Sequence, residues 1–268
     1  MAVDEAMMQA VSDGAAPTLR LYGWRPAAVS LGYFQSPDEG IDREQVMARG
    51  YGLVRRPTGG RAILHDDEVT YSVAIRESEV PHGHSVMQSY RYISRGVEAG
   101  LQRLGVGAQL VDKRPGPVGK RPGQQGAEAE AKAADLPTVC FAKASRCDMV
   151  VDGRKIVGSA QVRRNGVILQ HGSVPMTIDL AAHAAVMPGV AGKPEALDAA
   201  ACGVSDSIGR EVSFEELAEA IVEGFREALG VELSEGGLTD GERSAVEARC
   251  RDKYGSDEGN LRRPSGAG

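Results

Sequence analysis

Residues 148–174 read DMVVDGRKIVGSAQVRRNGVILQHGSV, and this stretch decides the fold. Two dipeptides in it, Asp152-Gly153 and Asn165-Gly166, each lie between runs of β-favouring residues. Asp-Gly and Asn-Gly tolerate the positive φ angles of two-residue hairpin turns, so both dipeptides are expected to reverse the chain. The sequence therefore predicts three consecutive antiparallel strands, at 148–151, 154–164 and 167–174.

The middle strand also predicts a polar sheet face. Strict alternation places on one side Lys155, Val157, Ser159 and Gln161. A two-residue turn at Asn165-Gly166 then pairs Gln161 with Gln170 on the same face. Because lysine, serine and two glutamines make a poor hydrophobic core, this face is predicted to be the wall of a pocket.

Apolar periodicity on either side of this stretch predicts the remaining elements. Helices with capping residues are predicted at 2–13, 42–49, 85–104, 213–229 and about 239–253. Further strands are predicted at 18–22, 28–33 and 69–75. The fold class is therefore α+β, with mixed or antiparallel sheets packed against helices.

A single domain is predicted over residues 1–253, with C-terminal helices at 211–253. Pro, Gly, Gln, Ala and charged residues dominate 112–137. This segment is predicted to be a mobile insertion, because it cannot bury enough apolar surface to offset the entropy of ordering it. Residues 254–268 are polar, and we expect them to form a frayed tail.

Composition excludes several functional classes. The 268 residues include 31 Lys and Arg and 37 Asp and Glu, which gives a net charge of −6, and 42% are hydrophobic. This balance excludes disordered, collagen-like and membrane-spanning classes, and the negative charge argues against a nucleic-acid partner. The first residues are acidic and no apolar signal segment follows, so we expect a cytoplasmic protein with no membrane partner.

The four cysteines do not form a recognisable cluster. They stand at 140, 147, 202 and 250, and no pair has the C-x-x-C spacing of a zinc or redox site. We therefore expect neither a metal site nor a disulfide framework.

The stretch Arg55–Asp66, RRPTGGRAILHD, is the first candidate for chemistry. Gly59 and Gly60 let the backbone approach a ligand closely, and three arginines within seven residues concentrate positive charge beside them. The pattern suits a phosphate or a carboxyl-derived anion. A solvated basic turn between two strands is the alternative that this stretch leaves open.

A second group of candidates follows the insertion. Lys155 lies between Gly153 and Gly158, which leave room for a ligand beside it. His171 adds an imidazole, although a lone histidine is also common as a structural residue. Cys140 stands where the insertion re-enters ordered structure, in a place that suits an activated thiol.

Taken together, these motifs resemble a known family. The elements that carry the resemblance are Met1–Glu5, Gly32–Gln35, Arg55–Asp66, Gly153–Gln161 and Leu169–Ser173. They look like the catalytic domain of the lipoate–protein ligases and octanoyltransferases, which is related in fold to biotin ligases. The resemblance spans residues 1–253. Cys140-Phe141 and Gly59-Gly60-Arg61 resemble the monofunctional, cysteine-dependent octanoyltransferase branch.

The resemblance implies an activity and its partners. An octanoyltransferase of this branch takes octanoate from acyl carrier protein through a cysteine thioester and needs no cofactor. It passes octanoate to a lysine of a lipoyl domain, in a 2-oxoacid dehydrogenase or in the glycine cleavage carrier protein. By resemblance, Cys140 is the nucleophile and Lys155 polarises the acyl carbonyl. The implied substrate-binding residues are Tyr33, Arg56, Gly59, Gly60, His65, Ser159, Gln161 and His171.

Three alternatives remain open at this point. Cys147 is a rival nucleophile to Cys140. An ATP-dependent lipoate–protein ligase would use ATP and Mg²⁺ to make an acyl-adenylate, and Cys140 would then be structural. A non-catalytic acyl-binding protein on the same scaffold is the third reading.

Overall fold

A computed structural model of the protein describes residues 1–111, 148–190 and 194–262. The predictions for the insertion at 112–137, for Cys140 and for Cys147 lie outside the described residues, as does the end of the chain from 263. In chain order the strands are β1 Thr18–Tyr22, β2 Ala28–Leu31, β3 Gly52–Arg55, β4 Ile63–His65, β5 Glu68–Arg76, β6 Gln109–Leu110, β7 Met149–Val151, β8 Arg154–Arg164 and β9 Val167–Pro175. The helices are α1 Ala2–Ser12, α2 Arg43–Ala48, α3 Val86–Arg103, α4 Leu180–Val186, α5 Pro194–Ala200, α6 Val204–Ile208, α7 Phe214–Leu229, α8 Asp240–Arg249 and α9 Asp257–Leu261.

The strands form two sheets. The larger sheet has six strands in the order β1-β5-β9-β8-β7-β6, and every neighbouring pair is antiparallel. The smaller sheet has the order β3-β2-β4, with β2 parallel to β3 and antiparallel to β4. The predicted α+β class, with mixed and antiparallel sheets, is confirmed.

Both predicted hairpin turns are present. Asp152, Gly153, Asn165 and Gly166 have φ angles of 50°, 79°, 51° and 72°. Two consecutive positive φ angles are what a two-residue turn needs to match the twist of its strands. The turns join β7 to β8 and β8 to β9. Gln161 lies opposite Gln170, in the predicted register.

One prediction about β8 is wrong, because a β-bulge interrupts its alternation. Val150 pairs with Lys155, whereas its neighbour Met149 pairs with Val157, so β8 carries one extra residue at this point. Directly opposed residues share a sheet face and consecutive residues do not. Lys155 therefore faces away from Val157, Ser159 and Gln161 and lies on the opposite face of the sheet.

Helices cover both faces of the larger sheet. Apolar residues of α3 and α7 pack on one face, with Val69, Tyr71 and Val73 of β5. On the other face, α1 packs through Met7, Met8 and Val11 against Ala74, Val167 and Leu169. The helices predicted around these positions are confirmed, within a few residues at their ends.

Three short helices after β9 were not predicted. α4 and α5 pack with the smaller sheet, and α6 follows at once. The Asp179 side chain accepts a hydrogen bond from the Ala182 backbone N–H and so begins α4. Each helix has only five to seven residues, too few to show a clear period of 3.6.

The expectation of a frayed C-terminal tail is also corrected for residues 254–262. These residues include helix α9, and Asn260 is buried. Its side-chain oxygen accepts a hydrogen bond from the Arg55 backbone N–H at 3.2 Å, at the end of β3. Within the described residues, no helix combines the length and the apolar character that crossing a membrane requires.

Candidate active site

The loop between β3 and β4 is held in close backbone contact with the end of β2. A Cβ atom on Gly32 would lie 1.8 Å from the carbonyl oxygen of Gly60, so a side chain has no room there. The Tyr33 N–H donates to the Thr58 carbonyl at 2.8 Å. Within the described part of the chain, no atom other than those of its two sequence neighbours lies within 4 Å of a Cβ built on Gly59. Among the described residues, the loop is therefore held against the end of β2 and has free space beside Gly59, as a backbone cradle for a ligand requires.

Arg56 holds this loop together from inside. Its side chain is buried and donates to the carbonyl oxygens of Ser30 at 3.0 Å, Gly59 at 2.8 Å and Arg61 at 2.7 Å. It also donates to the Ser30 hydroxyl at 3.2 Å. These contacts bend the loop around the guanidinium group. Any contribution of Arg56 to acyl binding therefore acts at least partly through the shape of the loop.

His65, the next predicted residue, lies between a buried carboxylate and a buried hydroxyl. Its Nδ1 is 2.8 Å from Oε1 of Glu68, and its Nε2 is 2.8 Å from Oγ of Ser30. The ring of Trp24 stacks on the imidazole at a centroid distance of 4.4 Å. Burial acts to raise the pKa of Glu68, but His65 and hydrogen bonds from Ser173 and Thr70 outweigh it and lower that pKa.

His171 links helix α1 to the loop. Its Nε2 is 2.7 Å from the Thr58 hydroxyl, and its Nδ1 is 3.5 Å from a carboxylate oxygen of Asp4. Asp4 is fully buried and accepts a hydrogen bond from Arg20 at 2.8 Å. Burial lowers the pKa of His171 below its ordinary value of 6.5, so the imidazole is neutral at physiological pH.

Lys155 is buried with an acidic partner. Its Nζ lies 2.9 Å from Oδ2 of Asp148, and both side chains are almost inaccessible to solvent. Because Asp148 precedes Val150 by two residues, this ion pair agrees with the bulge that turns Lys155 to its side of the sheet. That side also carries Ser173 and His171, which alternate along β9.

Cys202 lies next to Lys155 in space. Its backbone N–H donates to the Lys155 carbonyl at 3.0 Å. Burial raises the pKa of the Cys202 thiol, which keeps it protonated and unreactive. Cys202 is therefore a structural residue.

Ser159 and Gln161 are not brought together with His171. They lie on the face that α3 covers, where the Tyr71 hydroxyl donates to Ser159 at 2.7 Å and the Gln161 amide donates to Gln170 at 3.0 Å. Gln170 in turn donates to Ser94 of α3 at 3.2 Å. These polar side chains thus satisfy one another beneath a helix, and the predicted pocket wall at Gln170 is buried in the protein.

Tyr33 lies at the edge of the site. It is half-buried, its ring meets that of Phe34 edge-on, and the guanidinium of Arg164 lies 5.6 Å from its centroid. This position beside the loop is compatible with the predicted contact to an acyl tail.

The structure adds residues that sequence reasoning did not single out: Asp4, Ser30, Thr58, Glu68 and Asp148. Asp4 had a detectable signal, because it falls on the apolar stripe of α1 with Met8 and Val11 at helical spacing. Ser30 and Thr58 contact His65 and His171, which lie 35 and 113 positions further along the chain, so no local pattern marks them. Glu68 and Asp148 contact His65 and Lys155, which are near them in sequence. In the described part of the chain, no three His, Cys, Asp or Glu side chains form a group that could hold a metal ion.

The fold and these motifs define a class. The family described as Lipoyl protein ligase A/B catalytic domain matches the chain over residues 1–226. The chain belongs to this family, and the resemblance found in the sequence is confirmed.

The relatives of this chain include several proteins named octanoyltransferase LipM. The chain is 45% identical to octanoyltransferase LipM of Kyrpidia tusciae, over 98% of this chain and 94% of the relative. It is 43% identical to octanoyltransferase LipM of Symbiobacterium thermophilum, over 98% and 93%. A solved bipartite lipoate protein ligase of Thermoplasma acidophilum, studied with its E2 lipoyl domain, superposes with a TM-score of 0.76 at 25% identity, covering 99% of this chain and 91% of that chain.

Proposed function

We propose that this protein is an octanoyltransferase that moves octanoate from acyl carrier protein to the lysine of a lipoyl domain. The observation that carries this proposal is the similarity to octanoyltransferases named LipM, which extends over nearly the full length of both chains. The acceptor is a lipoyl domain of a 2-oxoacid dehydrogenase or the glycine cleavage carrier protein. The class of acceptor is supported by the archaeal relative, which was studied with a lipoyl domain.

The reaction has two steps. The thiolate of Cys140 attacks the octanoyl thioester, and the thiol of the carrier protein leaves with a proton. The amine of the acceptor lysine then attacks the enzyme thioester, an amide forms, and the Cys140 thiol is regenerated. Exchange of one thioester for another is nearly isoenergetic, and amide formation drives the second step. We therefore propose no cofactor. ATP and Mg²⁺ would enter only in the ligase alternative.

Lys155 is proposed to stabilise charge at the acyl carbonyl. It is a buried cation, and the bulge turns it to the sheet face that carries His171 and Ser173. A preorganised positive charge in a dry site stabilises a developing oxyanion more strongly than one in water. Asp148 holds the ammonium group in place at 2.9 Å.

The experiment that tests this function measures octanoylation of a purified lipoyl domain, with octanoyl-acyl carrier protein as donor and no ATP. The wild-type chain is expected to modify the acceptor lysine, and Cys140→Ser is expected to be inactive. Cys250→Ser is the matched control, because Cys250 is an exposed cysteine. Activity that is lost in Cys147→Ser and kept in Cys140→Ser would move the nucleophile to Cys147. Modification that requires free octanoate, ATP and Mg²⁺ would make the protein a ligase.

A further inference from the structure

Two buried side chains, Ser30 and His65, connect Arg56 at the end of β3 to the carboxylate of Glu68 in the larger sheet. Arg56 donates to Oγ of Ser30 at 3.2 Å, Ser30 Oγ lies 2.8 Å from Nε2 of His65, and His65 Nδ1 lies 2.8 Å from Glu68. All four are buried, with exposed fractions of 6% or less. The contacts therefore form a continuous chain that water does not reach.

The donors and acceptors of these groups give the chain a direction. A guanidinium group can only donate, so the Ser30 oxygen is the acceptor for Arg56. In the described contacts, Nε2 of His65 is the acceptor available to the Ser30 hydroxyl proton. In the tautomer that this requires, Nδ1 of His65 carries the ring proton and donates a hydrogen bond to Glu68. Every hydrogen bond points from the cation to the anion, an arrangement in which each bond strengthens the next.

The far end of the chain is strongly fixed. Glu68 also accepts hydrogen bonds from the hydroxyls of Thr70 and Ser173. Trp24 donates to Thr70 at 2.8 Å and stacks on the ring of His65. These contacts therefore fix the positions of the Glu68 carboxylate and the His65 imidazole. The imidazole in turn orients the Ser30 hydroxyl, which contacts its Nε2.

We propose that Glu68, His65 and Ser30 are positioning residues for acyl transfer, which act by fixing the guanidinium of Arg56 and, through it, the Gly59-Gly60 loop. Glu68 serves as the distant counterion of Arg56. The proposal rests on the proposed octanoyltransferase function. It adds to that function a buried chain of hydrogen bonds, the relay, which joins the two sheets beneath the Gly59-Gly60 loop.

The test measures how fast the chain becomes octanoylated by saturating octanoyl-acyl carrier protein, followed by intact-protein mass spectrometry. Ser30→Ala is expected to react about tenfold more slowly, because it removes the hydroxyl that links Arg56 to His65. Ser72→Ala is the matched control: Ser72 is equally buried, and its hydroxyl makes no hydrogen bond within the described part of the chain. This control is expected to react at the wild-type rate.

A double-mutant cycle separates the relay from two independent structural effects. Glu68→Gln keeps the shape of the side chain and removes its charge. It is expected to slow octanoylation to a similar extent, and the double variant with Ser30→Ala is expected to be no slower than the slower single variant. Rates that multiply, or a Ser30→Ala rate equal to that of Ser72→Ala, would overturn the proposal.

Imidazole nitrogen NMR supplies a readout that does not depend on activity. The relay requires His65 to carry its proton on Nδ1 and to accept at Nε2, and Ser30→Ala should alter the Nε2 signal. A proton on Nε2 of the wild-type chain would contradict the relay, even if Glu68→Gln failed to fold. A wild-type chain that forms no octanoyl adduct would refute the proposed function instead, and the NMR result would then decide the relay by itself.

Discussion

At the scale of single residues, the most consequential contact is the buried ion pair of Lys155 and Asp148. Their atoms are 2.9 Å apart, and each side chain is almost completely removed from solvent. Taking either charge out of water is unfavourable, and that penalty is offset only while both charges are present. The catalytic lysine of the proposed mechanism is thus also a structural residue.

Replacing one partner should therefore destabilise the fold. We expect Lys155→Met to lower the free energy of unfolding by about 3–5 kcal/mol, since it removes the cation that lies 2.9 Å from the buried carboxylate of Asp148. Glu216→Gln, which breaks an exposed ion pair with Arg210, is the control and should have a far smaller effect. Urea denaturation of both variants measures the difference. Equal losses would show that Lys155 and Asp148 do not depend on each other.

Buried neutral histidines predict a pH dependence of stability. Burial lowers the pKa of His171 and of His183 below 6.5, so both bind protons more weakly in the folded chain than in the unfolded chain. Stability from these residues is fully present above pH 6.5 and is lost as the pH falls below it, because the unfolded state then takes up the protons.

Urea unfolding at about pH 7 and about pH 5.5 measures this dependence, in a range above the carboxylate titrations. The stability of His171→Gln should fall less between these two values than that of the wild type. His84→Gln, at an exposed histidine, should fall as much as the wild type. An unchanged pH dependence in His171→Gln would mean that this histidine is not held neutral.

At the scale of elements, the sequence predicts what local chemistry determines. The Asp-Gly and Asn-Gly dipeptides determine both hairpin turns, because tolerance of a positive φ angle depends on the residue type. The register of Gln161 with Gln170 follows from the second turn. The face of Lys155 could not be predicted in the same way. The bulge depends on how β7 pairs with β8, and the alternation of residues within β8 alone does not show that pairing.

The packing of α3 on α7 supplies a prediction at this scale. A Cβ on Gly224 of α7 would lie 2.2 Å from the Gly100 nitrogen and 2.3 Å from the Gly96 oxygen, both on the α3 backbone. We expect Gly224→Ala to force the helices apart and to destabilise the protein by about 1–3 kcal/mol. Gly241→Ala in α8 meets no atom within 4 Å in the described part of the chain. It should stabilise the protein by up to about 1 kcal/mol, because alanine favours helix. Thermal unfolding compares the two; a neutral Gly224→Ala would contradict the close approach.

At the scale of the whole molecule, residues near both ends of the described chain contact the region of the loop between β3 and β4. Asp4 reaches it through His171 and Thr58, and Asn260 reaches it through Arg55. Arg55 and Asn260 are 205 positions apart in the sequence, so no local spacing predicts their contact. The candidate loop and Lys155 could be predicted from local motifs and family resemblance, but the charges that hold them in place could not.

The C-terminal contact should therefore affect both stability and activity. Arg55 donates to the Asn260 carbonyl at 3.1 Å and to the carbonyls of Gly32 and Gln35, both at 2.7 Å, so it ties helix α9 to the turn that carries Tyr33. We expect Asn260→Ala to cost about 1–3 kcal/mol, since the buried Arg55 N–H loses its side-chain acceptor.

The same variant should also raise KM for the octanoyl donor, because the turn at Tyr33 loses part of its support. Arg262→Ala is the control, because Arg262 is exposed and bonds only to Glu258 within the described contacts. Urea denaturation and steady-state kinetics of both variants check this expectation. An Asn260→Ala variant as stable and as active as Arg262→Ala would show that the Asn260 side chain does not support the turn at Tyr33.

The central claim is that the chain carries octanoate on a cysteine as a thioester. The most direct measurement is the intact mass of the purified protein after mixing with octanoyl-acyl carrier protein, in the absence of ATP. We predict one octanoyl group per wild-type chain, removed by hydroxylamine and absent from Cys140→Ser. A chain that gains no octanoyl group, and that modifies a lipoyl domain only when free octanoate, ATP and Mg²⁺ are supplied, would contradict the account.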